Sequence, residues 1–276
     1  MRLWRLLKIA ADNAYKNNFF ETAKGIAYSG LLSFFPVITT VAALLIQAQA
    51  DLTARTISYF LYDIAPPGTE EVIRKLFVVH GQRPAYLLVV AVALAVWAAS
   101  GAMISLMNAF QACYHLPSGR PFLQERAMAI LLVFVTIVPL WVATVLIVFG
   151  TQFEREILST LPVFKGEVAG WTLFVGQILG DVIAFLALVL ATALIYFFGP
   201  NRKQTFRLVI PGAILATVLW FIATLAVGWY LRHVTNYNVL YGSVGASLAL
   251  LVWMYVLAVI ALFGCEFNAA LERDTM

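Results

Sequence analysis

The sequence predicts an all-α polytopic membrane bundle of six transmembrane helices, with an amphipathic N-terminal helix and short helices in the first external loop. Of its 276 residues, 62% are hydrophobic and only 12% are charged, about half the charged fraction of a soluble domain. Six apolar segments reach the roughly 20 residues that a helix needs to cross a bilayer. The connections are too short for a soluble domain, so we divide the chain into an N-terminal helix, a membrane domain and a tail: 1–24, 25–268 and 269–276.

The first element is an amphipathic helix. One face carries Trp4, Leu7, Ala11 and Tyr15 at helical spacing, and basic residues including Lys8 fall on another face. This pattern is typical of a helix that lies flat on an anionic cytoplasmic leaflet. A solvated helix that packs on the bundle fits the same pattern, and both interpretations remain open.

The six spans follow in order, and the sequence places them at 25–49, 85–110, 127–150, 171–198, 208–230 and 242–265. Pro36 removes a backbone hydrogen bond from the first span and is expected to kink it close to Ser33. In the second span, Asn108 falls on a stripe of small and polar residues suited to close helix packing.

The fourth span contains one acidic residue. Asp181 is the only formally charged residue within 171–198; Gln177 precedes it by one turn, and Gly176 and Gly180 form a GxxxG pair. A carboxylate near mid-membrane costs at least roughly 2.5–3.5 kcal/mol. We therefore expect Asp181 to face the bundle interior and to be shielded by a neighbouring helix. Two roles are open: a proton, cation or substrate contact, and a structural packing residue.

The loops predict the orientation. Eleven Lys and Arg residues fall on the side of the two termini and seven on the other, so both termini are expected in the cytoplasm. The longest connection, 51–84, is predicted to form two short helices broken at 66–68. It is interpreted as a lid over the bundle, or as a structural plug or subunit interface.

The last span ends with polar residues, Glu266 and Asn268. A carboxylate at a helix C-terminus opposes the macrodipole, so we expect Glu266 to have a basic partner. The candidates on the same side are Lys24, Arg126 and Arg202.

No catalytic or metal-binding motif stands out. His80, His115 and His233 lie in different loops, and no pair has the spacing of metal ligands. A nuclease needs clustered carboxylates beside a basic groove, and the cytoplasmic loops are too short for that. We therefore expect no enzymatic activity, no cofactor, no metal and no nucleic-acid partner.

Four segments carry a recognisable pattern: "AYSGLLSFFPVITT", "WAASGAMISLMNAFQACYHL", "YFFGPNRKQTFRLVIPGAILATVLW" and "YGSVGASLALLVWMYVLAVIALFGCEFNAAL". They resemble the YihY/BrkB family of bacterial inner-membrane proteins, once mislabelled as ribonuclease BN. The resemblance implies six spans in the inner membrane and names no settled activity. The matching positions are Ser33, Pro36, Asn108, Pro200, Asn201, Pro211, Gly212, Tyr241, Gly242, Gly264, Glu266 and Asn268.

Two functions fit the sequence. The first is a transporter or flippase-like protein for a lipid or small amphipathic substrate, whose predicted cavity-lining residues are Ser33, Pro36, Asn108, Gln177 and Asp181. The predicted structural polar residues are Arg126, Asn201, Arg202, Tyr241, Glu266 and Asn268. The second function is a non-transporting envelope scaffold. The expected partners are membrane lipids, an amphipathic substrate and further copies of the chain in a homo-oligomer. A wide internal cavity favours the first function, and a filled bundle favours the second.

Overall fold

The chain folds into long helices, described by a computed structural model over residues 2–47, 85–116, 120–160, 167–233 and 237–275. Within these ranges there are seven helices and no strand, which confirms the all-α prediction. They are α1 (Arg2–Lys16), α2 (Phe19–Gln47), α3 (Ala85–Cys113), α4 (Phe122–Thr160), α5 (Glu167–Phe198), α6 (Phe206–His233) and α7 (Tyr237–Thr275). The predicted short helices of 51–84 lie outside the described residues.

Six of the described helices are long and apolar enough to cross a membrane, as predicted. Their outward faces carry large apolar side chains such as Leu94, Phe134 and Leu225, which lipid accommodates and water does not. The spans are Phe19–Leu44, Tyr86–Cys113, Phe122–Leu146, Val175–Phe198, Phe206–Tyr230 and Ser247–Asp274.

The six spanning helices form a closed ring in chain order. Each helix packs against its neighbours in the sequence, and α7 packs against α2 to close the ring. α3 also contacts α7 across it. Because the number of spans is even, α1 and the end of α7 meet at the same end of the bundle, hereafter the terminal end.

α1 packs on this end through one face and exposes the other. Leu6 and Ala10 are buried against α7, whereas Trp4 and Tyr15 are 76% and 79% exposed. Asn18 turns the chain from α1 into α2 with a left-handed φ of 51°, a conformation that Asn tolerates better than most residues. The helix therefore packs on the bundle through one face, and its placement on a membrane surface stays a prediction.

α6 and α7 cross at two glycines. A Cβ atom on Gly264 would lie 2.8 Å from the carbonyl oxygen of Gly212, and one on Gly212 would overlap the backbone of Gly264. Asn268 fastens the crossing, because its Oδ1 accepts the Gly212 N–H at 2.7 Å and its Nδ2 donates to the Val209 carbonyl at 3.0 Å. Pro211 lies between these two backbone groups, where a neighbouring polar side chain compensates for the disturbed helix.

Replacing Gly264 with Ala tests the crossing. Its Cβ would force α6 and α7 apart, and overpacking of this kind costs about 1–3 kcal/mol. We expect Gly264→Ala to lower the melting temperature of the purified protein in detergent. Gly180→Ala is the matched control, because no atom lies within 4 Å of the added Cβ. Equal melting temperatures for both variants would contradict the close crossing.

Candidate functional site

A cavity of about 330 Å³ lies inside the ring, within the range of small-molecule sites. All six spanning helices line it, so it is a product of the ring and not of any one helix pair. One lining residue from each helix in order is Ile26, Leu106, Leu140, Tyr196, Trp220 and Met254.

The three hydroxyl groups that line the cavity donate within the bundle, and Trp220 adds one indole N–H. The hydroxyls of Thr192 and Thr217 donate to carbonyls one turn earlier in their own helices, at 3.0 and 2.8 Å. The Tyr196 hydroxyl donates to the Ala261 carbonyl at 2.7 Å. The remaining lining residues are Gly and apolar side chains. The cavity therefore suits hydrocarbon rather than a polar ligand.

An aromatic pair closes the cavity towards the terminal end. Phe110 and Tyr196 pack edge to face with ring centroids 5.2 Å apart. A Cβ on Gly199 would lie 2.9 Å from the Phe110 ring, so the chain passes tightly beneath the pair. Both rings belong to a buried apolar cluster that also contains Cys113 and Cys265, which are free cysteines.

The residues that line the cavity are not the five that were predicted to line it. Those five are Ser33, Pro36, Asn108, Gln177 and Asp181. The Ser33 hydroxyl donates to the Gly30 carbonyl of its own helix at 2.8 Å. Asn108 and Gln177 are exposed on the outside of the ring.

The prediction that Asp181 faces the interior is wrong. The residue is exposed, as are the apolar side chains of Ile178 and Val182 beside it, and no helix presses against Gly180. Asp181 lies about 25 Å along α5 from Phe198, close to the full thickness of a hydrocarbon core of about 30 Å. Its carboxylate therefore lies near the end of the span Val175–Phe198 that is opposite Phe198, with no described helix packed against it.

Glu266 is fully buried at the terminal end, where it joins three helices. Its Oε1 accepts a hydrogen bond from Asn13 Nδ2 of α1 at 2.8 Å and lies 3.5 Å from Arg273 Nη1. Arg273 also donates to the Cys113 carbonyl of α3 at 3.0 Å. The prediction of a basic partner is confirmed, but the partner is Arg273, two turns along the same helix, and none of Lys24, Arg126 and Arg202.

The other predicted polar residues have separate environments. Arg202 pairs with Glu272 and lies 4.1 Å above the Tyr114 ring, whose hydroxyl pKa is raised by burial. Asn201 is exposed in the same loop. Tyr241 lies in α7, and its side chain is outside the described part.

Arg126 contacts α3 rather than a carboxylate. Its guanidinium lies 4.1 Å from the centroid of the Trp97 ring, and Nη1 donates to the Ser100 hydroxyl at 2.7 Å. In the described ranges, no group of three or more His, Cys, Asp and Glu side chains is arranged to hold a metal.

Arg120 and Gln204 are structural residues that the sequence reasoning missed. Arg120 donates to three carbonyls at the end of α5, those of Phe198, Gly199 and Pro200, at 2.8 to 3.2 Å. Gln204 Nε2 donates to the carbonyls of Tyr196 and Phe197 at 2.7 and 2.8 Å. The last carbonyls of a helix have no donors within the helix. Polar residues in the loops next to the end of α5 could therefore have been predicted to supply those donors.

Comparisons with known proteins identify relatives across the chain. A family model described as "Virulence factor BrkB" matches residues 10–276. The ribonuclease-like protein YfkH of Bacillus subtilis (strain 168) is 28% identical over 251 residues, which cover 90% of this chain and 88% of YfkH. A UPF0761 membrane protein of Alteromonas mediterranea is 23% identical over 267 residues, covering 96% of this chain and 87% of the relative. No solved structure matches the chain.

The buried Glu266 cluster predicts a stability effect. Glu266→Gln removes the charge opposite Arg273, and Arg273→Gln leaves a buried carboxylate without its cation. We expect each variant to lose about 1–3 kcal/mol of unfolding free energy, with the larger loss in Arg273→Gln. Thermal unfolding in detergent measures this.

Glu21→Gln is the control for that series. Its partner Lys24 and Glu21 itself are 62% and 71% exposed, and exposed pairs contribute at most about 1 kcal/mol. Normal yield and stability of both cluster variants would contradict the ion pair.

Proposed function

The chain belongs to the virulence factor BrkB family of membrane proteins, and from this premise we propose that it transports or flips a lipid or a small amphipathic molecule. The observation that carries the proposal is the apolar cavity lined by all six spans. The family match and the relatives support a multi-pass membrane protein. The ribonuclease-like name belongs to YfkH, and the proposal takes no activity from it.

The chemistry of the cavity favours a hydrocarbon occupant. Its hydroxyl hydrogens are committed to backbone carbonyls, so a polar solute that enters it loses its water and gains few partners. An acyl chain loses nothing on transfer from the bilayer to such a space. A volume of about 330 Å³ suits part of one chain rather than a whole lipid, so the polar head of the substrate stays outside the ring.

One seam of the ring is suited to opening. α2 and α7 close the ring, and both Gly30 and Met254 line the cavity at their contact. A Cβ on Gly30 would lie 3.4 Å from the Met254 sulfur. A small residue against a flexible thioether lets two helices separate with little loss of packing. The α2–α7 seam is therefore our candidate for the passage of an acyl chain from the bilayer.

A scaffold is the second candidate, and the exposed face of α1 favours it. Trp4 and Tyr15 project away from the bundle, where they are available to a membrane surface or a protein partner. A scaffold needs no cavity, however, and the transporter proposal accounts for the ring.

We place the protein in the bacterial inner membrane with both termini in the cytoplasm. The eleven-to-seven bias of basic residues supports this orientation. The terminal end of the bundle, with α1 and the Glu266 cluster, then faces the cytoplasm.

Filling the cavity tests the transport proposal. Ala102 lines the cavity, and Ala93 is exposed on the outside of the same helix. We expect Ala102→Phe to remove most of the movement of a fluorescent phospholipid across proteoliposomes, because its ring occupies the space of the acyl chain. Ala93→Phe should transport like the unmodified protein. Equal transport by both variants would argue against the cavity, and no transport by the unmodified protein would favour the scaffold.

Reporter fusions test the orientation. Fusions at His115 and Asn201 should report the cytoplasm, and fusions at Pro67 and Glu156 the periplasm. The positive-inside bias gives this expectation, and the reverse pattern would refute the orientation.

A further inference from the structure

Arg126 carries a positive charge into a membrane-spanning segment. It is the fifth residue of α4, and its guanidinium reaches Trp97 and Ser100 of α3. Arg126 lies about 6 Å along the axis from the start of α4, inside the spanning segment Phe122–Leu146. An arginine inside a spanning segment is costly and marks a functional site by default.

This charge has no counter-ion among the residues that the structure describes. Ion pairs there include Lys24–Glu21, Arg202–Glu272 and Arg273–Glu266, and Arg126 belongs to none of these three. Its Nε is buried and has no hydrogen-bond partner. The first turn of α4 adds the positive end of a helix dipole. The site therefore attracts an anion.

The surroundings of Arg126 are apolar and face outward. Trp97 and Leu94 are 57% and 59% exposed, and Leu131 of α4 is 47% exposed. Ala102 and Leu106, on the opposite side of α3, line the central cavity. An anion at Arg126 thus lies in a groove between α3 and α4 that opens to the bilayer, where free inorganic anions are scarce and lipids are abundant.

We propose that this groove, defined by Trp97, Ser100 and Arg126, binds the phosphate group of a membrane lipid. The guanidinium fork matches the geometry of phosphate oxygens. Trp97 and Ser100 hold the fork in place, and the acyl chains lie along Leu94 and Leu131. The inference goes beyond the proposed function, because this lipid lies on the outer face of α3, on the opposite side of that helix from the central cavity.

Native mass spectrometry of the full chain in detergent tests the binding directly. The two probes are dioleoyl phosphatidic acid and dioleoylglycerol, which share their chains and differ by the phosphate. We expect the unmodified protein to retain phosphatidic acid about tenfold better, the difference that one charged hydrogen bond supplies. Arg126→Gln should abolish this preference, and Arg126→Lys should keep part of it because the charge remains without the fork.

Arg207→Gln is the matched control. Arg207 is an exposed arginine in the first turn of α6, and its loss should leave the preference unchanged. If Arg126→Gln fails to fold, Trp97→Leu gives the same readout. This variant removes the aromatic ring that holds the guanidinium in place and leaves the charge of Arg126. Equal preference for phosphatidic acid in the unmodified protein and in a folded Arg126→Gln or Trp97→Leu variant would overturn the proposal.

Two other occupants give different results. An Arg126-dependent rise in melting temperature with inorganic phosphate, without a preference for phosphatidic acid, would assign the site to free phosphate. A dimer that Arg126→Gln dissociates would assign the counter-ion to an acidic residue of a second copy. Either result would overturn the lipid site.

The failure of this inference is distinguishable from the failure of the proposed function. Transport that Ala102→Phe blocks and Arg126→Gln leaves unchanged, with no preference between the two probes, would remove the phosphate site alone. An unmodified protein that moves no lipid would remove the transport proposal, whatever the mass spectra show.

Discussion

The side chain of Asn268 is the interaction on which the bundle most depends. It bonds to backbone groups on both sides of Pro211, where a spanning helix cannot satisfy itself and lipid offers no substitute. Those bonds reach across only because Gly212 and Gly264 bring the two helices into backbone contact. Position 268 is one turn beyond 264. The same face of α7 therefore supplies both the glycine that allows the close approach and the side chain that forms the hydrogen bonds to α6.

Once α7 is fixed on α6, its other faces organise the terminal end. Glu266 points away from that crossing and binds Asn13 of α1, while Arg273 reaches α3. This explains why residues 264–270 are buried without interruption, although α7 is apolar over most of its length and polar here. With α7 also packed on α2, the ring closes, and the space left inside becomes an apolar cavity.

The sequence predicts the spans well because apolar length is a property of each segment alone. It predicts that Glu266 needs a cation for the same local reason, a carboxylate at a helix end. The choice of Arg273 over Arg126 or Arg202 depends on how the helices rotate against one another, which no single segment specifies. The cavity cannot be predicted from the sequence, because its lining residues are the same small and apolar types that pack helices together elsewhere. Asp181 was misassigned because its distance from the far membrane boundary depends on where α5 ends relative to its neighbours.

We propose that the ring holds a lipid chain in its apolar cavity. A cryo-EM structure of the protein in lipid nanodiscs would show this chain. We expect elongated density between Leu106, Tyr196 and Trp220, continuous with the bilayer through one seam of the ring. A cavity collapsed by inward movement of the six helices, or one filled with ordered water bound to the Thr192 and Thr217 hydroxyls, would contradict it.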